Sequence, residues 1–358
     1  IDCPLIDLTQ EEQAQSYAVR HMEEIAMQAF SLDQAPLAHF AVYRLTDAKH
    51  IFFINAHHII WDGWCFDLFW THMNKLYTQA LQGHLGPQKA LSPNYADFSS
   101  WQRALVEKNS ESQRYWLNHY ATIPDALDLA IDFPRPPELE TAGDTLLVPW
   151  SPEARKSFEH QSKIQEATPF MLAMAVLVFT LHRLTAQTDI VIGTPVRGRT
   201  RPEFESLLGL FINVLPLRFT LDPTQDFASL LAVVRKVCMD GFAHQDYPFE
   251  ALLSQVKTPR DESRTPLFTA MFSYQDVTDR VLDLPGLHLE QIFVEGHGIP
   301  TDIVFWMKKS DGKLDIGIDF RTRLWMRSSV VAIGEIYQQL QSQTAQNPQL
   351  PLHAYDLF

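Results

Sequence analysis

A proline-rich segment at residues 134–137, Pro-Arg-Pro-Pro, interrupts the helix and strand patterns of the chain. Successive prolines lack backbone N–H donors and disfavour helix in the residue before them. The chain has 358 residues, a length that fits two lobes better than one. We therefore predict an N-terminal lobe over residues 1–140 and a C-terminal lobe over residues 141–358.

Helix and strand patterns mix in both predicted lobes, which indicates a mixed α/β (α+β) fold. Thr9 and Glu12 form a capping-box pattern for a first helix that ends near Phe30. Two strands are expected at 39–45 and 50–56, and the second is expected to be buried on both faces. The other expected helices lie near 69–80, from 101, around 115, after 151, after 169 and at 328–343, and the other expected strands at 189–192, 214–219, 268–274, 303–307 and 314–320.

The composition argues against several kinds of partner. The formal net charge is −14 without a run of Lys or Arg, whereas nucleic-acid binding needs clustered cations. The most apolar stretch, 170–181, is too short to span a bilayer, so we expect a buried helix and no membrane partner. Three scattered cysteines fit neither a disulfide framework nor a metal site, and they favour a reducing cytoplasm. Because the chain begins at Ile1 without a signal sequence, we expect it to be part of a longer protein.

Two adjacent histidines open the segment 57–63, His-His-Ile-Ile-Trp-Asp-Gly, which we call the histidine loop. Adjacent strand residues point to opposite faces, so one histidine is expected to act and the other to support it. A neutral imidazole can accept a proton from an ammonium or hydroxyl nucleophile near neutral pH. Asp62 is expensive to bury alone and needs a cationic partner, for which an arginine is the best candidate. Gly63 removes a side chain where the backbone turns tightly or where a substrate passes.

The histidine loop taken alone is a moderately specific signal, because a buried histidine is more often a satisfied core residue than part of a site. The chain has no GxSxG elbow, Walker loop, HExxH or GxGxxG pattern. The sequence therefore lacks the residues that hydrolase, nucleotide-binding and metalloprotease functions need.

Four stretches, in the same order, resemble the motifs of non-ribosomal peptide synthetase condensation domains. They are the HHxxxDGW pattern at 57–64, the YxDFxxWQ pattern at 95–102, the IGTPVxGR…GxFVN pattern at 192–213, and the HQDxPFE and RDxSRNPLF patterns at 244–268. Two features depart from the family. The opening segment with its RHxxLR element has no counterpart here, so we expect the front of the first lobe to be absent from this chain. Cys65 stands where the family usually has Ser, and we interpret it as a buried thiol rather than a nucleophile.

The resemblance implies an acyltransferase of two chloramphenicol acetyltransferase-like lobes, arranged in a V with a tunnel between them. Donor and acceptor carrier proteins would dock at opposite mouths and insert phosphopantetheine arms that carry the substrates. The domain itself would bind no cofactor and no metal, and it would work beside neighbouring synthetase domains.

The resemblance also assigns roles by position. His58 would deprotonate or orient the acceptor amine, with His57 and Trp64 in support. Asp62 would pair with an arginine, either Arg199 or one in the absent opening segment. The remaining assignments are Gly63, which would keep the passage open, and Phe211, Ile212 and Asn213, which would lie near the tunnel.

Several related functions compete with amide-bond formation. An epimerization domain shares the histidine loop, and residues 295–298, Glu-Gly-His-Gly, look like that subfamily's EGHG element, although they lie at an unexpected place in the order. A heterocyclization domain would replace His57 and His58 with aspartates. A catalytically silent recruitment module keeps the fold but typically loses the second histidine, which is present here. An ester-forming or dual epimerization/condensation domain also stays open.

Overall fold

The computed structural model describes residues 2–87, 92–108, 110–276, 284–292, 298–310 and 313–357. They fall into two compact units. The first unit is drawn from 1–98, 199–212 and 280–296, and the second from 99–198, 213–279 and 297–358. Both units contain helices and strands, which confirms the mixed α/β fold. The lobe boundary near residue 140 stays a prediction.

The first unit contains a small sheet and the elements that carry the histidine loop. Its described strands form a three-stranded sheet in which β1 runs parallel to β2, and β2 runs antiparallel to β3. A 3₁₀ turn at His58–Ile60 leads from β3 towards the next helix. In chain order its elements are β1 (Leu5–Asp7), α1 (Ala14–Ala26), β2 (Ala38–Arg44), β3 (His50–Ala56), α2 (Gly63–Leu81) and the start of α3 (Tyr95–Glu107).

Two expectations for this unit are wrong. Helix α1 begins at Ala14 rather than after Thr9, because the backbone N–H of Thr9 donates to the carboxylate of Asp7, 3.0 Å away, in a local turn. Strand β3 is not buried on both faces, since its side chains are mostly half-buried and Phe53 is its buried residue. Phe53 packs into the small core under α1, whereas Phe52 lies on the other face among half-buried aromatic rings.

The second unit is built on a six-stranded sheet, counted over its described strands, in the order β4-β9-β8-β7-β5-β6. The pairs β5/β7 and β7/β8 are parallel and the other pairs are antiparallel. In chain order its elements are α4 (Glu111–His119), β4 (Gly143–Val148), α5 (Pro152–Ile164), α6 (Pro169–Thr185), β5 (Asp189–Val196), β6 (Asn213–Thr220), α7 (Phe227–Ala243), α8 (Phe249–Leu253), β7 (Ala270–Asp276), β8 (Ile303–Ser310), β9 (Lys313–Arg321) and α9 (Arg327–Gln346).

Helix α6 is the buried helix expected from the most apolar stretch. All its residues from Leu172 to Leu181 are buried, and Thr168 caps it by accepting a hydrogen bond from the backbone N–H of Met171. Because it packs against α7 and α9, its apolar surface is covered on several sides. Among the described residues, no single helix is both long enough and apolar enough to span a membrane. Helices α5 and α6 taken together meet this criterion by length and composition only, and the pair is bent by 105°.

Candidate functional site

The histidine loop begins directly after strand β3, as the sequence predicts, but its second histidine is already part of a turn. Strand β3 ends at Ala56, His57 is still extended, and His58 is the first residue of the 3₁₀ turn. The two histidines therefore do not lie on opposite faces of one strand, and that prediction is wrong because His58 is not in a strand. The two side chains nevertheless have different surroundings, which the turn creates.

The ring of His57 is used to hold the turn. Its Nδ1 accepts a hydrogen bond from the backbone N–H of Ile59 at 3.0 Å, so its neutral form carries the proton on Nε2. Its own backbone N–H donates to the carbonyl of Leu37 at 2.9 Å, and Phe30 packs edge-on against the ring. These contacts suit a supporting residue.

The side chain of His58, in contrast, is exposed. Within the described part of the chain, no side-chain hydrogen bond engages its imidazole. A neutral imidazole in this position keeps an unprotonated nitrogen that can accept a proton from a ligand.

The carboxylate of Asp62 fixes the end of the loop. Asp62 is the N-cap of α2, where its Oδ1 accepts from the backbone N–H of Cys65 at 3.0 Å. Both carboxylate oxygens accept from Nη2 of Arg199 at 3.1 Å, and Oδ2 also accepts from the backbone N–H of Phe211 at 3.1 Å. The side chain of Asp62 is 1% exposed and that of Arg199 is 0% exposed. Of the two candidate partners, the structure places Arg199 against Asp62.

The guanidinium of Arg199 is held on three sides. Its Nη1 donates to the carbonyls of Phe204 at 3.0 Å and Leu207 at 2.8 Å. Its Cζ lies 3.8 Å from the centroid of the Phe211 ring, within the range of a cation–π contact. Since one buried charge is paired with another and both are hydrogen-bonded, neither is left uncompensated in the core.

Cys65 joins α2 to the segment 209–211, a contact that sequence reasoning did not find. Its thiol donates to the carbonyl of Gly209 and accepts from the backbone N–H of Gly209, both at 3.2 Å. Burial raises the pKa of Cys65, and the hydrogen bond from Gly209 offsets part of that rise. The interpretation of Cys65 as a buried thiol is confirmed. Backbone partners in a distant segment carry no signal in composition or spacing.

Gly63 and Trp64 follow Asp62 in the first turn of α2. Gly63 is helical rather than left-handed, and a Cβ there would meet nothing within 4 Å, so the tight-turn explanation for this glycine is wrong. The explanation that it keeps a passage open stays a prediction. The indole Nε1 of Trp64 donates to the carbonyl of Glu205 at 3.1 Å, which ties α2 to the stretch around Arg199.

The three residues expected near a tunnel have different surroundings. Phe211 is buried in the first unit, under Arg199 and beside Phe98, whose ring centroid is 4.4 Å away. Ile212 is half-buried. Asn213 belongs to the second unit, where its amide nitrogen donates to two backbone carbonyls and its oxygen accepts from two backbone N–H groups. A role for them in a tunnel stays a prediction.

Two further sequence patterns concern metal binding and epimerization. Over the residues that the structure describes, no group of three or more His, Cys, Asp or Glu side chains is placed to hold a metal ion. The EGHG-like stretch lies outside the described residues, apart from Gly298.

Substitution of Gly209 by alanine is expected to lower the free energy of unfolding by about 1–3 kcal/mol. A Cβ at this position would lie 2.3 Å from Cδ2 of Tyr95, and φ is +155°. Gly63→Ala is the matched control, because its Cβ meets open space and alanine favours helix by at most about 1 kcal/mol. Urea denaturation of both variants measures the difference, and equal midpoints would contradict the close packing of Tyr95 on Gly209.

Alkylation of the folded protein with iodoacetamide is expected to modify Cys3 fast and the other two cysteines slowly. Cys3 is exposed, whereas Cys65 and Cys238 are buried. Burial raises the pKa of Cys65 and raises that of Cys238 to about 12, which lowers the thiolate fraction that reacts. Peptide mass spectrometry over time, with a urea-unfolded control, measures the three rates; fast native labelling of Cys65 would contradict its burial.

Comparison with known proteins connects this geometry to a family. The model of the Condensation domain family matches residues 1–358. Malpinin synthetase of Mortierella alpina is 30% identical over 340 residues, which cover 94% of this chain and 4% of that protein. The chain spans 4–9% of the length of the curated relatives it matches.

Two solved structures show the same fold. The X-domain from teicoplanin biosynthesis superposes with a TM-score of 0.88 at 20% identity, covering 100% of this chain and 82% of that one. The first condensation domain of the calcium-dependent antibiotic synthetase superposes with a TM-score of 0.74 at 18% identity, covering 100% and 78%. The fold is thus the chloramphenicol acetyltransferase-like fold of condensation domains. The chain belongs to the condensation-domain family of non-ribosomal peptide synthetases.

Proposed function

We propose that this domain forms an amide bond between a donor acyl or peptidyl thioester and an acceptor aminoacyl thioester, both carried on the phosphopantetheine arms of carrier proteins. The observation that carries the proposal is the exposed imidazole of His58 in a loop whose end is fixed by the buried pair of Asp62 and Arg199. An exposed base on a rigid loop can act on a substrate that arrives from solvent.

The proposed step moves one proton from nitrogen to sulfur by way of His58. The acceptor amine attacks the carbonyl carbon of the donor thioester, the new C–N bond forms, and the C–S bond to the donor arm breaks. His58 takes a proton from the attacking nitrogen and passes it to the leaving thiolate, which restores the neutral imidazole and releases the donor arm as a free thiol. Part of the rate comes from positioning: when both arms are bound, the entropy cost of bringing the two substrates together has already been met.

Asp62 acts indirectly in this proposal. Its four accepted hydrogen bonds place the last turn of the loop and the start of α2, so the position of His58 depends on it. The donor is already activated as a thioester, so the reaction consumes no ATP and the domain binds no cofactor of its own. The natural setting is a cytoplasmic synthetase with neighbouring domains and two carrier partners.

A second candidate is a catalytically silent recruitment module of the same fold. It is kept as a candidate because a solved structure of the X-domain, which shares this fold, is a complex with OxyB. The retention of His58 and the fully paired Asp62 favour the condensing function instead. Epimerizing, dual and ester-forming functions also agree with the same loop.

Mass spectrometry of an acceptor carrier protein distinguishes these functions. The intact synthetase or domain is mixed with a donor carrier loaded with an acyl group and an acceptor carrier loaded with an amino acid. A mass increase of the acceptor by the acyl group supports condensation. An unchanged acceptor in every pairing favours recruitment, and inverted stereochemistry without a mass change favours epimerization.

A carrier-loaded donor is expected to react far more efficiently than the same acyl group on a small thiol. Both this chain, with its net charge of −14, and typical carrier proteins are acidic, so docking must rest on short-range contacts. Raising the ionic strength should therefore weaken carrier binding little. Comparison of kcat/KM for both donors at low and moderate salt checks this. Equal efficiency of the small thioester, or affinity that collapses with salt, would indicate a stand-alone acyltransferase with a charged docking patch.

A further inference from the structure

We propose that Tyr95 is a positioning residue for the histidine loop, which it holds in place through the segment 209–211 and Asp62. The inference deepens the proposed function and rests on it, because it concerns the same site. Tyr95 is not part of the loop, and it contacts the loop's anchor from a separate helix.

Tyr95 is itself fixed at the start of α3 by a reciprocal cap. The side-chain oxygen of Asn94 accepts from the backbone N–H of Ala96 at 2.8 Å. In return the backbone N–H of Asn94 donates to Oδ2 of Asp97 at 2.7 Å. Such paired caps satisfy free donors at a helix start and define its first residue. The ring of Tyr95 therefore projects from a defined backbone position.

Tyr95 contacts every residue of the segment 209–211. Its hydroxyl donates to the carbonyl of Leu210 at 2.7 Å. Its ring lies directly over Gly209, where a Cβ would come within 2.3 Å of it, and it packs edge-on against Phe211 with 5.3 Å between ring centroids.

The same segment supplies the groups that hold the end of the loop. Gly209 exchanges two hydrogen bonds with the thiol of Cys65, and the backbone N–H of Phe211 donates to Asp62. A shift of this segment therefore moves a donor of the buried Asp62 carboxylate. Since Asp62 ends the loop that contains His58, the geometry links Tyr95 to the imidazole without direct contact.

The Tyr95 hydroxyl is suited to this role over a wide pH range. Burial raises the pKa of Tyr95, the negative charge of Asp62 raises it further, and the positive charge of Arg199 offsets part of that rise. The hydroxyl therefore stays protonated and keeps donating to Leu210. The residue is 38% exposed, so it does not belong to the closed core of the unit.

The substitution Tyr95→Phe tests the proposal because it removes the hydroxyl and keeps the ring over Gly209. We expect kcat for carrier-loaded substrates to fall about three- to tenfold, the size of one hydrogen bond, with KM unchanged. The kcat of Tyr95→Leu should be lower still, so that Tyr95→Phe keeps part of the activity that Tyr95→Leu loses. Tyr17→Phe is the matched control, because Tyr17 is similarly exposed, at 42%, lies in the same unit and loses the same hydroxyl. It should behave as the wild type.

Nuclear magnetic resonance of histidine-labelled protein gives a readout that needs no activity. The His58 ring signals, assigned with His58→Gln, should shift in Tyr95→Phe and stay in place in Tyr17→Phe. Unchanged His58 signals in Tyr95→Phe would overturn the proposal, even if activity fell together with stability. If the His58 signals shift in Tyr95→Phe while the wild-type protein condenses no loaded carrier pair, the positioning role is supported and the proposed function is contradicted.

Discussion

Replacement of Arg199 by methionine is expected to lower the free energy of unfolding by about 3–5 kcal/mol, because it leaves a buried carboxylate without its counter-charge. The Asp62 side chain is 1% exposed and cannot recover hydration in place. Arg199 also donates to two backbone carbonyls, which would lose their partner. Condensing activity should fall with stability, since the loop is no longer fixed. The urea midpoint, followed by circular dichroism, measures the loss.

The matched control is Arg201→Met, which removes a guanidinium that pairs with Glu203 at 3.4 Å and is 47% exposed. An exposed pair contributes roughly 0–1 kcal/mol, so this variant should stay close to the wild type. In the double variant Asp62→Asn with Arg199→Met, the loss should be smaller than the sum of the two single losses, because the unpaired charge is gone. A stability of Arg199→Met within about 1 kcal/mol of the wild type would contradict a structural role for the pair.

Replacement of His58 by alanine is expected to lower kcat by about 10²–10⁴-fold, the range of general acid–base catalysis. The free energy of unfolding should change by less than about 0.5 kcal/mol, because the side chain is exposed. Mass-spectrometric single turnovers with loaded carriers measure the rate. The comparison variant is His72→Ala, an exposed histidine of α2, which should keep full activity.

A second comparison separates the two loop histidines. His57→Asn keeps a side-chain acceptor that can reach the backbone N–H of Ile59, whereas His57→Ala removes it. We expect His57→Asn to retain more activity than His57→Ala. Near-normal product formation by His58→Ala would show that holding the two arms supplies the rate and that proton transfer at this residue is unimportant.

Local sequence patterns predicted the helices and strands that are defined by residues close together in the sequence. The bounds of β3 agree with the sequence expectation, and α5 and α6 begin after Ser151 and Thr168, where a capping side chain precedes a proline. Strand β4 was missed, because it is defined by its pairing with β9, more than 160 residues away in sequence. Helix α3 begins at Tyr95 rather than near Trp101, because its cap is made by Asn94 and Asp97.

The site was predictable to the extent that its residues are contiguous. The histidine loop is one segment, so its candidate residues could be named from one motif. Arg199 could be named as one of two candidates only through the family resemblance, and the backbone donor of Phe211 could not be named at all. Such contacts are set by the path of the chain in three dimensions, which local composition does not encode.

The separation of Asp62 from Arg199 by 137 residues has a consequence during synthesis on the ribosome. At a translation rate of about 5–20 residues per second, the ribosome adds Asp62 roughly 7–27 s before it adds Arg199. During that interval the carboxylate must stay hydrated, so the final fold of the loop cannot be adopted until residue 211 has left the exit tunnel. A nascent chain that pauses between these points exposes an incomplete unit to chaperones and proteases. We therefore expect codon choice and pausing between residues 62 and 211 to affect the yield of folded protein.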